Sequence, residues 1–198
     1  MDLLLSDHGF KRKNRSFDWH KTLNEEITQL INMGISLYPR AQEISVNPNV
    51  AVRYKSIEQA LVEAGIVDAS YLDERATIGQ GINNITRKTY WIRADDNLLE
   101  LTRAFYEDIL KYGFPSLEKL SDIAQVIKFL SSSDVQDWGD CSASDRARLL
   151  PLALAVSGKS AEALTLLPVL AKELKGKDQM VPNYQHFTTW FSQKYSNS

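Results

Sequence analysis

The residues able to do chemistry in this chain are few and scattered. Its three histidines, His8, His20 and His186, lie at no metal-ligand spacing, and Cys141, the single cysteine, has no CxxC partner. No metal site is expected. Cys141 sits in "WGDCSASD" beside Asp140, and a neighbouring anion raises a thiol pKa, the wrong direction for a nucleophile. "SGKS" at 157–160 ends like a phosphate-binding loop. The glycine that pattern needs five residues before Gly158 is Ala153, however, and "LPLALAV" ahead of it reads as helix, so a helix-hairpin turn is expected. "SLEK" at 116–119 has the Ser-x-x-Lys spacing of some acyl-transfer enzymes but none of their other motifs, and a Ser116 helix cap accounts for it. "GQG" at 79–81 lacks the third glycine and the helix of a dinucleotide loop. Asp95/Asp96 and Glu25/Glu26 are adjacent and read as caps and turns. No catalytic residue, metal ligand or cofactor is assigned.

Two stretches look more like surfaces than like active sites. The polar connection 131–145 places Trp138 among Asp134, Asp137, Asp140 and Asp145, as a hot spot facing a basic protein would. Asp134, Asp137, Trp138 and Asp140 are the candidate partner-binding residues. The alternative is that Trp138 tucks onto a helical core while the aspartates cap helix ends. The second stretch, "HGFKRKNRSFDWH" at 8–20, interleaves Lys11, Arg12, Lys13 and Arg15 with Phe10, Phe17 and Trp19. Single-stranded nucleic acid is bound by such mixtures of cations and rings. A strand with a turn at "KNR" would put the cations in its middle and the rings at its ends, so a solvated strand edge is the better reading. Net charge is −2, whereas nucleic-acid-binding domains are usually basic. The middle of the chain is acidic, with six Lys/Arg against ten Asp/Glu between 56 and 113.

At 198 residues, with 43% apolar and 24% charged side chains, the chain is long and apolar enough to build a core. A lone cysteine fits a reducing compartment, and the opening "MDLLLSDHGF" has neither the charge nor the apolar run of a signal peptide. A cytoplasmic protein with no membrane segment is expected.

The elements follow from periodicity. "EEITQLINMGISLYP" and "EISVNPNVAVRY" alternate with period two, and Gln29 takes an inward position. Pro48 cannot donate to a ladder, so the second strand is expected at an edge or broken at "NPN". "SIEQALVEAG" reads as a short helix capped by Ser56 and stopped by Gly65; "RATIGQGINNITRKTYWIRA" reads as one or two strands. From residue 95 the period becomes 3.6. Asp95 is expected to cap a helix ending at Gly113, Ser116 the next, and Ser144 the first arm of a helix hairpin cornered at Gly158. A final helix carries Tyr184, Phe187, Trp190 and Phe191. The fold class is α+β: a mostly antiparallel N-terminal sheet with one short helix, then a block of about five helices. A single domain over 1–198 is expected, sheet-rich over 1–94 and helical over 95–198.

"LLSDHGFKRKNRSFDW", the strand carrying Gln29, "LKYGFPSLEKLSDIAQVIKFL" and "LPLALAVSGKSAEALTLL" together resemble the bacterial domain-of-unknown-function 4304 family over most of residues 3–170. That family opens on Gly-Phe plus basic residues before an aromatic strand, and closes with an "hGhP-x-hh" helix and a small-residue helix hairpin. It has no established catalytic residues, so none carries over. The resemblance implies a compact protein of the immunity-protein kind. Such a protein neutralises a toxin domain, encoded by an adjacent gene, through direct contact and without an active site. The other reading is a small-ligand protein or enzyme with a pocket between sheet and helices, using Gln29, Arg53, Tyr54 and His20.

Overall fold

The computed structural model describes residues 1–13, 16–132, 134, 140–174 and 181–196. Along the chain run α1 (Asp2–Ser6), β1 (Lys11–Arg12), β2 (Asp18–Thr22), β3 (Ile27–Tyr38), β4 (Glu43–Tyr54), α2 (Lys55–Glu63), β5 (Ile78–Gly81), α3 (Ile82–Thr86) and β6 (Tyr90–Ile92). The helical part follows with α4 (Leu98–Asp108), α5 (Phe114–Leu120), α6 (Ile123–Leu130), α7 (Ala143–Val156), α8 (Ser160–Glu173) and α9 (Val181–Tyr195). The protein is α+β, an antiparallel sheet followed by a helical block. It divides into two compact units that interleave in sequence: Met1–Arg53 with Ile78–Ser121, and Tyr54–Thr77 with the chain from Asp122 onward. The change of period at residue 95 falls inside the first unit.

In the first unit the strand order is β1-β2-β3-β4-β5, with β6 also on β4. The basic stretch folds as a hairpin, Lys11 opposite His20 and Arg12 opposite Trp19; Asn14 and Arg15 of the expected turn lie outside the described residues. β4 is not an edge strand. It bonds β6 through Ile44–Val46 and β5 through Asn49–Val52, and Pro48 falls in the gap between those partners, where no ladder donor is required. Val46, Tyr90 and Phe105 form a buried cluster with Met33, Ile44, Ile92 and Leu101, which places α4 on the sheet face that carries the odd residues of β3.

Gly113 is not a stop signal. The helix runs through it as a π-helical segment, Ile109–Gly113, directly into α5. A Cβ at Gly113 would lie 3.0 Å from Val50 Cγ1 and 3.2 Å from Ile82 Cδ1, so the glycine lets this segment lie close on the sheet. Ser116 accordingly sits inside α5 and caps nothing. Two other caps shift. Asn97, not Asp95, receives the Leu99 and Glu100 amides, and Ser142, not Ser144, receives that of Asp145. α2 starts straight out of β4 with Tyr54 at its cap position and Ser56 within its first turn.

The second unit is built around the α7–α8 hairpin, with Gly158 in the left-handed region at its corner, as the sequence pattern predicts. Buried Arg146 donates to Leu130 O at 2.6 Å and pairs with Glu173. Phe187 and Phe191 of α9 are fully buried. The segment from Tyr54 to Thr77 is closed by a buried chain: Tyr54 N donates to Thr77 Oγ1 (2.9 Å), which donates to Glu58 Oε1 (2.7 Å), with Arg75 Nε 3.4 Å from Glu58 Oε2. Among the described residues no helix is long and apolar enough to cross a membrane.

Candidate functional site

Asp137 and Trp138 lie outside the described residues. Asp134 and Asp140 are both exposed. Past them, Ser142 and Asp145 form a reciprocal cap at the start of α7, Ser142 Oγ accepting from Asp145 N (3.1 Å) and donating to Asp145 Oδ2 (2.6 Å). Burial, then Asp145, push the Cys141 thiol up to about 12, so it is no thiolate nucleophile at neutral pH. Among the described residues no group of three His, Cys, Asp or Glu is arranged to hold a metal ion.

In the basic hairpin the rings are mostly committed to the fold. Phe10 and Trp19 are buried, and Trp19 Nε1 donates to Asp2 Oδ1 at 2.8 Å, a bond that holds the Asp2 carboxyl below its usual range against its partial burial. Phe17 is exposed, but the Arg12 guanidinium lies over it at 5.5 Å and also pairs with Asp2. No continuous row of rings is left for bases to stack on.

Of the residues of the pocket reading, Gln29 and His20 lie on opposite faces of the sheet. Gln29 faces the helices; His20, opposite Leu30, points to the other face of the sheet. Burial, then the Arg53 and Lys13 cations, hold His20 below the usual imidazole range.

Two features of the first unit stand out instead. One is the far end of the β3–β4 hairpin. β2 covers β3 only as far as Asn32, with one further bond from Met33 N to Phe17 O, so β4 is the only strand beside residues 34–38 among those described. Along that stretch Ile35 is 43% exposed, Leu37 68% and Tyr38 46%; Trp91 of β6, 37% exposed, leans on Tyr38 with ring centroids 5.1 Å apart. Strand alternation sends Ile35 and Leu37 to one face and Tyr38 and Trp91 to the other. An apolar ribbon with an open backbone edge is the surface a second protein strand pairs with.

The other feature is a groove of about 480 Å³ where the edge of β2–β3 meets α5, lined by His8, Phe10, Lys21, Gln29, Phe114 and Glu118 among others. Gly9, in the left-handed region, turns the chain back out of α1 and brings His8 and Phe10 to β2. α5 offers Phe114, Leu117, Glu118 and Ser121, a single face at helical spacing. Phe10 and Phe114 stack at 5.9 Å with 12° between planes; His8 sits edge-on to Phe114 and shares a 2.9 Å hydrogen bond with Tyr106 OH. Gln29, 7% exposed, donates from Nε2 to Ser121 Oγ (3.0 Å), and Ser121 donates to Leu117 O (2.7 Å). The serine's one proton is thus spent, which fixes the Gln29 amide with Nε2 toward Ser121. Gln29 Oε1 accepts no hydrogen bond from the described residues.

No family model, curated protein or solved structure matches this chain.

Proposed function

We propose that the chain is a non-enzymatic protein-binding protein, a cytoplasmic immunity protein that neutralises a toxin domain encoded by an adjacent gene through direct contact. The uncovered end of the β3–β4 hairpin carries the reading. Three large apolar side chains, Ile35, Leu37 and Tyr38, are exposed on a strand edge that β4 alone among the described strands flanks, and they suit an extended segment of a partner, which would add a strand to β3 and take Ile35 and Leu37 into its own apolar surface. The immunity role rests on the resemblance of "HGFKRKNRSFDW" and the later helices to domain-of-unknown-function 4304 proteins, and the compartment on the single cysteine.

The test is co-expression with the product of the neighbouring gene. That product should arrest growth alone, be harmless with the wild-type chain, co-elute with it, and regain toxicity when Leu37→Asp is introduced into the chain. A neighbouring product that is harmless alone and does not co-elute refutes the proposal.

A further inference from the structure

Three polar groups lining the groove beside α5 have chemistry to offer and nothing described that takes it up. Lys21 and Glu118 have no ion-pair partner among the described residues, and Gln29 Oε1 has no donor. Lys21 is well placed rather than merely exposed. Its stem lies against Gly9, where an added Cβ would be 3.6 Å from Lys21 Cε, and its ammonium sits 5.7 Å from the centre of the Phe10 ring. Lys21 and Gln29 are directly opposite in the β2–β3 register, so their Cβ atoms are about 5 Å apart. A cation and a hydrogen-bond acceptor therefore stand side by side, with a carboxylate on the facing helix and a pair of stacked phenylalanines between.

We propose that this groove binds a free α-amino acid with an aromatic side chain. The ligand carboxylate pairs with Lys21. The neighbouring ammonium donates to Gln29 Oε1 and pairs with Glu118. The ring lies against the partly exposed Phe114, with buried Phe10 and Leu117 behind it as the floor of the groove. The opposed charges of the zwitterion match those of the groove over the spacing of one cross-strand pair, and the volume falls in the range of small-molecule sites. A phosphate ester would set two negative charges beside Glu118 against one lysine, a simple carboxylate would leave Gln29 Oε1 without a donor, and a simple amine would leave Lys21 without an anion. The inference does not depend on the protein-binding reading, since Gln29 and Leu37 are eight residues apart on one strand, roughly 26 Å.

Calorimetric titration of the full chain tests it, with L-phenylalanine and L-tryptophan as probes and 3-phenylpropionate, phenethylamine and glycine as partial ligands. The aromatic amino acids should bind about tenfold or more tighter than any partial ligand, and Lys21→Met and Glu118→Gln should each lose about tenfold, because each removes a charged partner. Both residues are at the surface end of the groove, so unchanged unfolding of the variants shows that they fold. Absence of binding at concentrations on the order of 10 mM, equal affinity for 3-phenylpropionate, or wild-type affinity in both variants overturns the proposal.

Discussion

Ile31 and Leu37 occupy the same face of β3, six residues and about 20 Å apart. Ile31 is wholly buried and Leu37 is mostly exposed. Both belong to one run of alternating apolar residues, so the pattern that makes the strand cannot be what separates them. The difference is in what lies above. Over the near end, α4, the π-helical segment and α5 cover the sheet, with Phe105 and Leu101 against Met33 and Ser121 bonded to Gln29. Past Met33 β2 does not continue, and Ile35 and Leu37 are exposed. On the proposed reading, this exposed end is what a partner contacts.

Substitutions at the covered end should cost the most. Ile31→Ala removes a fully buried side chain and is expected to destabilise the protein by about 2–5 kcal/mol in denaturant unfolding, whereas Leu37→Ala should lie within about 0.5 kcal/mol of wild type. Equal losses at the two positions would erase the distinction. Gly113→Ala tests the cover itself. Its methyl would press on Val50 and Ile82, with an expected loss of about 1–3 kcal/mol. A neutral result would mean that the π-helical segment can lift away freely.

A smaller effect, dependent on pH, is expected where β6 is fastened to α4. Asp108 accepts from Tyr90 OH at 2.6 Å and from Lys88 at 2.9 and 3.1 Å. Burial works to raise the Asp108 pKa, but the Tyr90 and Lys88 hydrogen bonds outweigh it and hold the carboxyl below the usual range. The native state thus binds the proton more weakly than the unfolded chain. The stability this provides is full above the unfolded pKa, near 4, and is lost as pH falls through the lower native value. Asp108→Asn weakens the Tyr90 bond by about 1 kcal/mol, and the stability gap between wild type and variant should be constant near neutrality and close on acidification below about pH 4. A gap independent of pH would show that the charge on Asp108 is not what matters.

Much of this was legible in the residues. Period-two alternation marks β3 and β4, the inward polar position of Gln29 is visible within it, and the helix hairpin around Gly158 follows from its flanking stripes. Caps were legible only to within two residues, because Asp95 and Asn97, or Ser142 and Ser144, are chemically equivalent until the backbone chooses between them. Pro48 misled because a strand can bond two different partners on one side and leave a donor-free gap between them. Gly113 misled because a close approach to Val50 and Ile82 is a long-range fact. The groove was out of reach for the same reason: His8, Lys21, Gln29 and Glu118 are drawn together by the β2–β3 register and by α5, not by sequence spacing. The exposure of Leu37 lies beyond the end of β2, which alternation does not encode.

The smallest expected effect on folding accompanies the largest expected effect on binding. Leu37→Asp should leave the unfolding free energy within about 1 kcal/mol of wild type, since the side chain is mostly exposed. The affinity of this variant for the product of the neighbouring gene, measured by calorimetry beside the wild-type chain, is the most direct test of the uncovered hairpin end as the binding surface. A loss of about tenfold or more is predicted; an affinity within about twofold of wild type would contradict it.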